Sequence, residues 1–115
     1  MRWYASLRRP ADFARVRRRG RRGAFETLSA FALERRSGAW RVGITVAGTV
    51  GGAVVRNLIR RRVQGALDAL PPERRQEARA RDLVLVLRPC AAQAPYSALE
   101  RDVAAAVAAV PGKPA

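Results

Sequence analysis

The chain has 115 residues, with 23 lysines and arginines against nine aspartates and glutamates, a formal net charge of +14 and a pI near 11.8. That length suits one domain with a modest core, and 49% hydrophobic residues separate it from a disordered basic tail. The lack of histidine removes histidine-activated nucleophiles, histidine-ligated zinc and histidine bases, and the single cysteine, Cys90, excludes an internal disulfide or a cysteine metal cluster.

Residues 1–9 read as a basic, loosely ordered arm, and Met1-Arg2-Trp3-Tyr4 lacks the apolar core of a signal peptide. A helix is predicted from Pro10, which suits a first helical position, to a stop at Gly20. Phe13 and Val16 would pack inward with Leu7, leaving Arg15, Arg17, Arg18 and Arg19 in water, and Arg21 and Arg22 extend the basic run. Residues 24–33 read as a strand with both faces partly covered, long enough to be split, and residues 34–38 as a hairpin turn. Trp40, Val42, Ile44 and Val46 alternate with Arg41, Gly43 and Thr45, the clearest strand pattern in the chain.

Glycines at 48, 51 and 52 end that strand, and a helix is predicted from Ala53 to Leu70, where Pro71-Pro72 stops it. Residues 73–81 read as an exposed, charged connection. Leu83-Val84-Leu85-Val86-Leu87 is continuously apolar, so a strand buried on both faces is predicted, with Cys90 a buried thiol beyond it. Ser97 and Glu100 have capping-box spacing for a last helix burying Leu99, Val103, Val107 and Val110. The domain is thus read as residues 1–115, with an ordered core of about 7–110, the arm at 1–6 and a frayed tail at 111–115. The apolar runs are too short to span a bilayer, and a cytoplasmic protein is expected.

The most informative segment is the glycine turn at 51–52 and the helix that follows. Val55, Ile59, Val63, Ala66 and Leu70 fall on one side, to pack on the sheet, while Arg56, Asn57, Arg60 and Arg61 share the opposite arc and Arg62 lies at the border. Like charges this close destabilise an isolated helix, and phosphates between them relieve the repulsion. Unpaired N–H groups of the first turn also favour an anion, with no side chain at Gly51 or Gly52 to block it. Twenty-two of the 23 basic residues are arginine, which grips phosphate with two prongs and stacks on bases. A G+C-rich genome accounts for that choice over lysine but not for the excess over acids. A solvated charged face is the plain alternative, and a nucleic-acid partner the better one.

At these residues the chain resembles the protein subunit of bacterial ribonuclease P. That family enters its helix as Gly-Asn-Ala-Val-x-Arg-Asn-Arg-x-Lys-Arg, and this chain reads Gly51-Gly52-Ala53-Val54-Val55-Arg56-Asn57-Leu58-Ile59-Arg60-Arg61. Leu7 to Gly20 is similar to the family's opening helix, Arg41 to Val46 to the strand before the hallmark, and Asp82 to Arg88 to its last strand. The resemblance implies an α+β sandwich of order αβββαβα, with three antiparallel-paired strands before the arginine helix. Its sheet would be mixed and four-stranded, with a left-handed βαβ crossover of the kind known from a ribosomal protein domain.

It further implies a single RNA-binding domain that partners the catalytic RNA subunit and precursor transfer RNA, assisting removal of the 5′ leader. The chemistry would lie on the RNA, with magnesium bound mainly there, no catalytic or metal-ligating residue on the protein, and neither DNA nor membrane as a partner. Arg56, Asn57, Arg60, Arg61 and Arg62 would meet the RNA subunit; Phe13, Arg17, Leu28, Phe31 and Arg88 would line a cleft for the single-stranded leader, where bases stack on aromatic rings or arginine planes.

The chain departs from the family at Gly48 and Thr49, where lysines are usual, at Gly52 for Asn, and at Leu58 for a basic residue. Three other readings compete: a basic ribosomal or structural RNA-binding protein without a role in cleavage, a DNA-compacting protein, and a self-contained metal nuclease. The strand–helix order argues against the second, and the scattered acids against the third.

Overall fold

A computed structural model describes residues 2–36, 38–75 and 80–109. In chain order it contains β1 (Tyr4–Ser6), α1 (Pro10–Arg19), β2 (Arg21–Ala24), β3 (Leu28–Glu34), β4 (Trp40–Thr45), α2 (Ala53–Asp68), β5 (Arg81–Leu87) and α3 (Tyr96–Ala109). Short 3-10 turns lie at Gly48–Val50, Pro72–Arg74 and Pro89–Ala92. The strands form one mixed sheet in the order β1-β4-β5-β3-β2. The sheet therefore has five strands, not the four expected, within the α+β architecture that was expected.

The additional strand is β1, in the segment read as a loose arm. Its Tyr4, Ala5 and Ser6 run parallel to Trp40, Arg41 and Val42 of β4. Tyr4 and Leu7 are buried, and Trp3 donates its indole N–H to the Leu67 carbonyl at 2.8 Å. Aromatic burial thus orders a segment whose basic residues suggest solvent. β2 also begins earlier than expected, at Arg21, antiparallel to β3.

The hairpin expected at 34–38 does not form. β3 pairs antiparallel with β5, and β4 pairs parallel with β5, so β5 lies between the two strands that the turn connects. The described part of the turn carries Gly38 at φ 100°, a left-handed conformation that favours glycine, while Ser37 lies outside the described residues. A local turn signal reports a reversal of direction, not which strand fills the neighbouring place.

The two sheet faces are covered differently. Leu28, Ala30, Ala32, Trp40, Val42, Leu83, Leu85 and Leu87 meet α2 and α3 in the main core. From α2 that core takes Ile59, Val63, Ala66 and Leu67; from α3 it takes Leu99, Val103, Ala106 and Val107. The opposite face carries α1, whose Val16 packs with Leu7 and Val84 in a smaller cluster joined by Phe13, Phe31, Leu33 and Val86. Burial on both faces explains the continuous apolar run of β5.

Two expectations for the last third fail. Helix α3 begins at Tyr96, so Ser97 lies inside its first turn, two residues past the cap position at Pro95. Pro95 precedes the helix, and its carbonyl accepts from Ala98 N at 3.0 Å. Cys90 is exposed, in the turn after β5, with its thiol toward the Glu26 carbonyl at 3.2 Å. The expected burial of Val110 lies outside the described residues. No described helix is long and apolar enough to cross a membrane.

Candidate nucleic-acid interface

Helix α2 begins where the C-terminal ends of β4 and β5 lie side by side. The turn Gly48–Val50 leaves β4 there and packs against the turn Pro89–Ala92 that leaves β5. Gly52 precedes the helix at φ −72° and ψ 179°, with no side-chain cap. Apolar positions seat the helix: Ile59 and Val63 are buried and Val55 packs at the edge of the core. The polar arc is graded, with Asn57 and Arg61 exposed and Arg56, Arg60 and Arg62 half-buried. Asn57 Oδ1 accepts from Arg60 Nη1 at 3.4 Å, and Arg56 Nε is buried without a hydrogen-bond partner among the described residues. Val54, 82% exposed, and Leu58, 40% exposed, lie on the same outer surface.

Six of the acids are engaged elsewhere in the fold. Asp12 and Asp82 pair with Arg15, Arg35 and Arg41; Asp68 pairs with Arg2, Glu34 with Arg81, and Glu26 and Asp102 with Arg101. Among the described residues, no carboxylate pairs with Arg56, Arg60, Arg61 or Arg62, nor with Arg17, Arg22 or Arg88. Position along the chain does not reveal this separation, because acids from β3, β5 and both ends of the molecule are involved. Guanidiniums bound to carboxylates hold the fold, and those without a carboxylate keep a charge for which an external anion has no internal rival.

The α1 face holds most of the second residue set. The Phe13 ring lies over Gly43, where an added Cβ would overlap Phe13 Cζ and Cε2. This close approach is what keeps α1 low on the sheet. Phe31 is half-buried in β3, and the Arg17 guanidinium sits 5.5 Å from its ring centroid. Arg88 reaches Ser29 Oγ at 3.3 Å, and Arg22 reaches the same atom at 3.4 Å. Cross-strand register puts Arg22 directly opposite Phe31, hence on the same face.

Leu28 does not belong with this group. It is 0% exposed and lies in the core under α2 and α3, on the other side of the sheet from Phe31. Three residues apart in a strand means opposite faces, so the two side chains cannot share a cleft. Sequence reasoning passed over Arg22 and Ser29. The usable signal was the alternation that pairs Ser29 with Phe31 and Leu33, but Arg22 needed the β2–β3 register.

Among the described residues, no group of three or more histidine, cysteine, aspartate or glutamate side chains is arranged to hold a metal ion. A groove of about 580 Å³ opens beside Cys90, Gln93 and Ser97 at the start of α3, lined also by the Glu26–Arg101 pair.

Comparisons with known proteins agree on one family. The family model for Ribonuclease P matches residues 1–110. A ribonuclease P protein component of Chloroflexus aurantiacus is 38% identical over 100 residues, covering 86% of this chain and 72% of that protein. One from Streptomyces bikiniensis is 38% identical over 118 residues, covering 88% and 87%. In fold, the chain is similar to the RNase P protein of Staphylococcus aureus, with a TM-score of 0.76 at 21% identity over 93% of this chain and 97% of that one. The RNase P protein from Thermotoga maritima gives 0.74 at 19% identity, covering 90% and 98%.

Proposed function

The chain belongs to the Ribonuclease P protein family, and on that premise we propose that it is the protein component of a ribonucleoprotein that removes the 5′ leader of precursor transfer RNA. The observation that carries this reading beyond family membership is the sorting of charge. The arginines of the α2 entry have no acid among the described residues, whereas Asp12, Glu26, Glu34, Asp68, Asp82 and Asp102 are paired with other arginines within the fold. A surface so arranged suits a partner with many phosphates.

Arg56, Asn57, Arg60, Arg61 and Arg62 hold the catalytic RNA; Phe13, Arg17, Phe31 and Arg88 take the single-stranded leader. The two sets occupy opposite faces of the sheet but approach one another at the ends of β4 and β5, so one domain touches both RNAs at once. The protein binds and orients; the RNA subunit breaks the bond. Magnesium supplies charge neutralisation and an activated water when bound, and it is held mainly by the RNA. The assembly works in the cytoplasm.

Reconstitution tests the reading. The chain is mixed with a bacterial ribonuclease P RNA and a precursor transfer RNA at limiting magnesium, and leader release is followed. Acceleration over RNA alone is the expected result. RNA binding without acceleration would favour a structural RNA-binding role instead. Phe13→Ala should weaken binding of leader-bearing substrate and leave mature transfer RNA little changed; equal loss for both would point to damage of the small core under α1.

A further inference from the structure

We propose that Arg22, Ser29 and Arg88 form a seat for one internucleotide phosphate, placed so that an adjoining base lies on Phe31. The inference rests on the reading of the α1 face as a surface for single-stranded RNA. Arg22 comes from the edge strand β2 and Arg88 from the end of β5, and both reach across to β3 between them. They donate to one oxygen, Ser29 Oγ, at 3.4 and 3.3 Å. Both bonds are longer than the ~2.7–3.2 Å usual for N–H to oxygen.

Two permanent cations thus converge on one neutral hydroxyl. No carboxylate among the described residues pairs with either, although six other arginines have one. Arg88 Nε is buried and has no hydrogen-bond partner among the described residues. Desolvating a guanidinium N–H without a partner is costly, and so is bringing two such groups together. An anion with several oxygens answers both costs. A phosphodiester accepts from both forks, and the Ser29 hydroxyl is free to turn its own hydrogen to it.

The neighbouring geometry restricts which phosphate. Arg22 faces Phe31 across the strand pair, and Ser29 lies two residues before Phe31 on the same face. That is about 7 Å along the strand, within reach of one extended nucleotide. The guanidinium of Arg17 lies 5.5 Å from the Phe31 ring centroid, a further cation that moves off the ring when the base takes its place there. Charge and stacking surface together describe one nucleotide unit rather than a diffuse basic patch.

The experiment uses the reconstituted ribonucleoprotein and precursor transfer RNAs with a neutral methylphosphonate at one leader position at a time. One position should bind about tenfold weaker or worse. Arg22→Gln and Arg88→Gln should each cause a loss of that order and make that position silent, while neighbouring positions behave as before. The double variant should lose little more than either single one, because both grip one group. Ser29→Ala should show a smaller loss at the same position. Persistence of the penalty in both arginine variants, or additive losses with no sensitive position, would overturn the seat. If the unaltered protein favoured precursor over mature transfer RNA in no assay, the single-strand reading would itself have failed, which is a separate outcome.

Discussion

Asp82 is a carboxylate with a side chain 1% exposed, and three guanidiniums share it. Arg41 holds it with two bonds, at 2.8 and 2.7 Å; Arg15 of α1 and Arg35 of the turn after β3 approach to 3.3 and 3.5 Å. The hydrogen bond to Asp82 is the main cause that raises the Arg41 pKa above its ordinary value. One acid thereby ties a helix, a turn and two strands. Asp82→Asn should destabilise the fold by roughly 3 kcal/mol, read from chemical unfolding, because it leaves three cations around a neutral amide. Tyr4 offers a test by pH. Burial, then the negative charge of Asp68, push its pKa up from 10.0 to about 12. The folded state keeps the phenolic proton where the unfolded chain releases it, so this contribution is whole below pH 10 and declines up to about 12. Tyr4→Phe should flatten that part of the alkaline stability profile; an unchanged profile would assign the loss to other groups. Neither role was readable in the sequence. Asp82 looks like the ordinary polar start of an apolar strand, and Tyr4 sits in a short segment that reads as a basic arm. Leu28 shows the converse: its apolar character was plain, but its side of the sheet needed the strand phase.

At the level of the elements, local patterns predicted those structures that local interactions decide. Pro10 and Gly20 bracket α1 as expected, and the apolar spacing of α2 matches its buried residues. The failures are pairings and ends. β1 has only three residues, too short for a period to show, and is fixed by a partner strand far along the chain. The capping spacing of Ser97 and Glu100 was real, but the helix starts before it, at Tyr96, with Pro95 in the cap position. Thr27 and Asp102 show what holds α3 instead: the buried Asp102 carboxylate accepts from Thr27 N at 2.8 Å and from Thr27 Oγ1 at 2.6 Å. In α2 the cap remains improvable. Gly52 has an extended backbone that any residue adopts, and a Cβ there meets no atom within 4 Å. Gly52→Asn should stabilise the protein by a few tenths of a kcal/mol, detectable as a small rise in Tm, through a bond to the free N–H groups of the first turn.

For the whole molecule the dominant quantity is a net charge of +14, and the structure divides it into an internal and an external share. Composition alone announced a polyanionic partner, but not which arginines are available. Those bound to Asp12, Asp82 and Asp68 are largely offset by these carboxylates and add less to attraction at a distance. The α2 set is different. Arg56→Ala with Arg60→Ala should reduce the slope of log affinity against log salt by roughly one unit per lost phosphate contact. The same change at Arg15, engaged with Asp12 and Asp82, should move stability more than slope. Titration of the RNA at several ionic strengths distinguishes the two; equal slopes for both variants would mean that charge acts as a uniform cloud and that the sorting has no bearing on binding.

The centre of the sheet is occupied by β5, the last strand to be synthesised. While the ribosome is still short of Arg81, β3 and β4 have no common neighbour, yet every arginine of α1, β2 and α2 has already emerged from translation or is about to. The nascent polypeptide therefore acquires its attraction for nucleic acid before it has a shape with which to choose among nucleic acids. A chain ending before β5 would carry most of the positive charge without the central strand that arranges it.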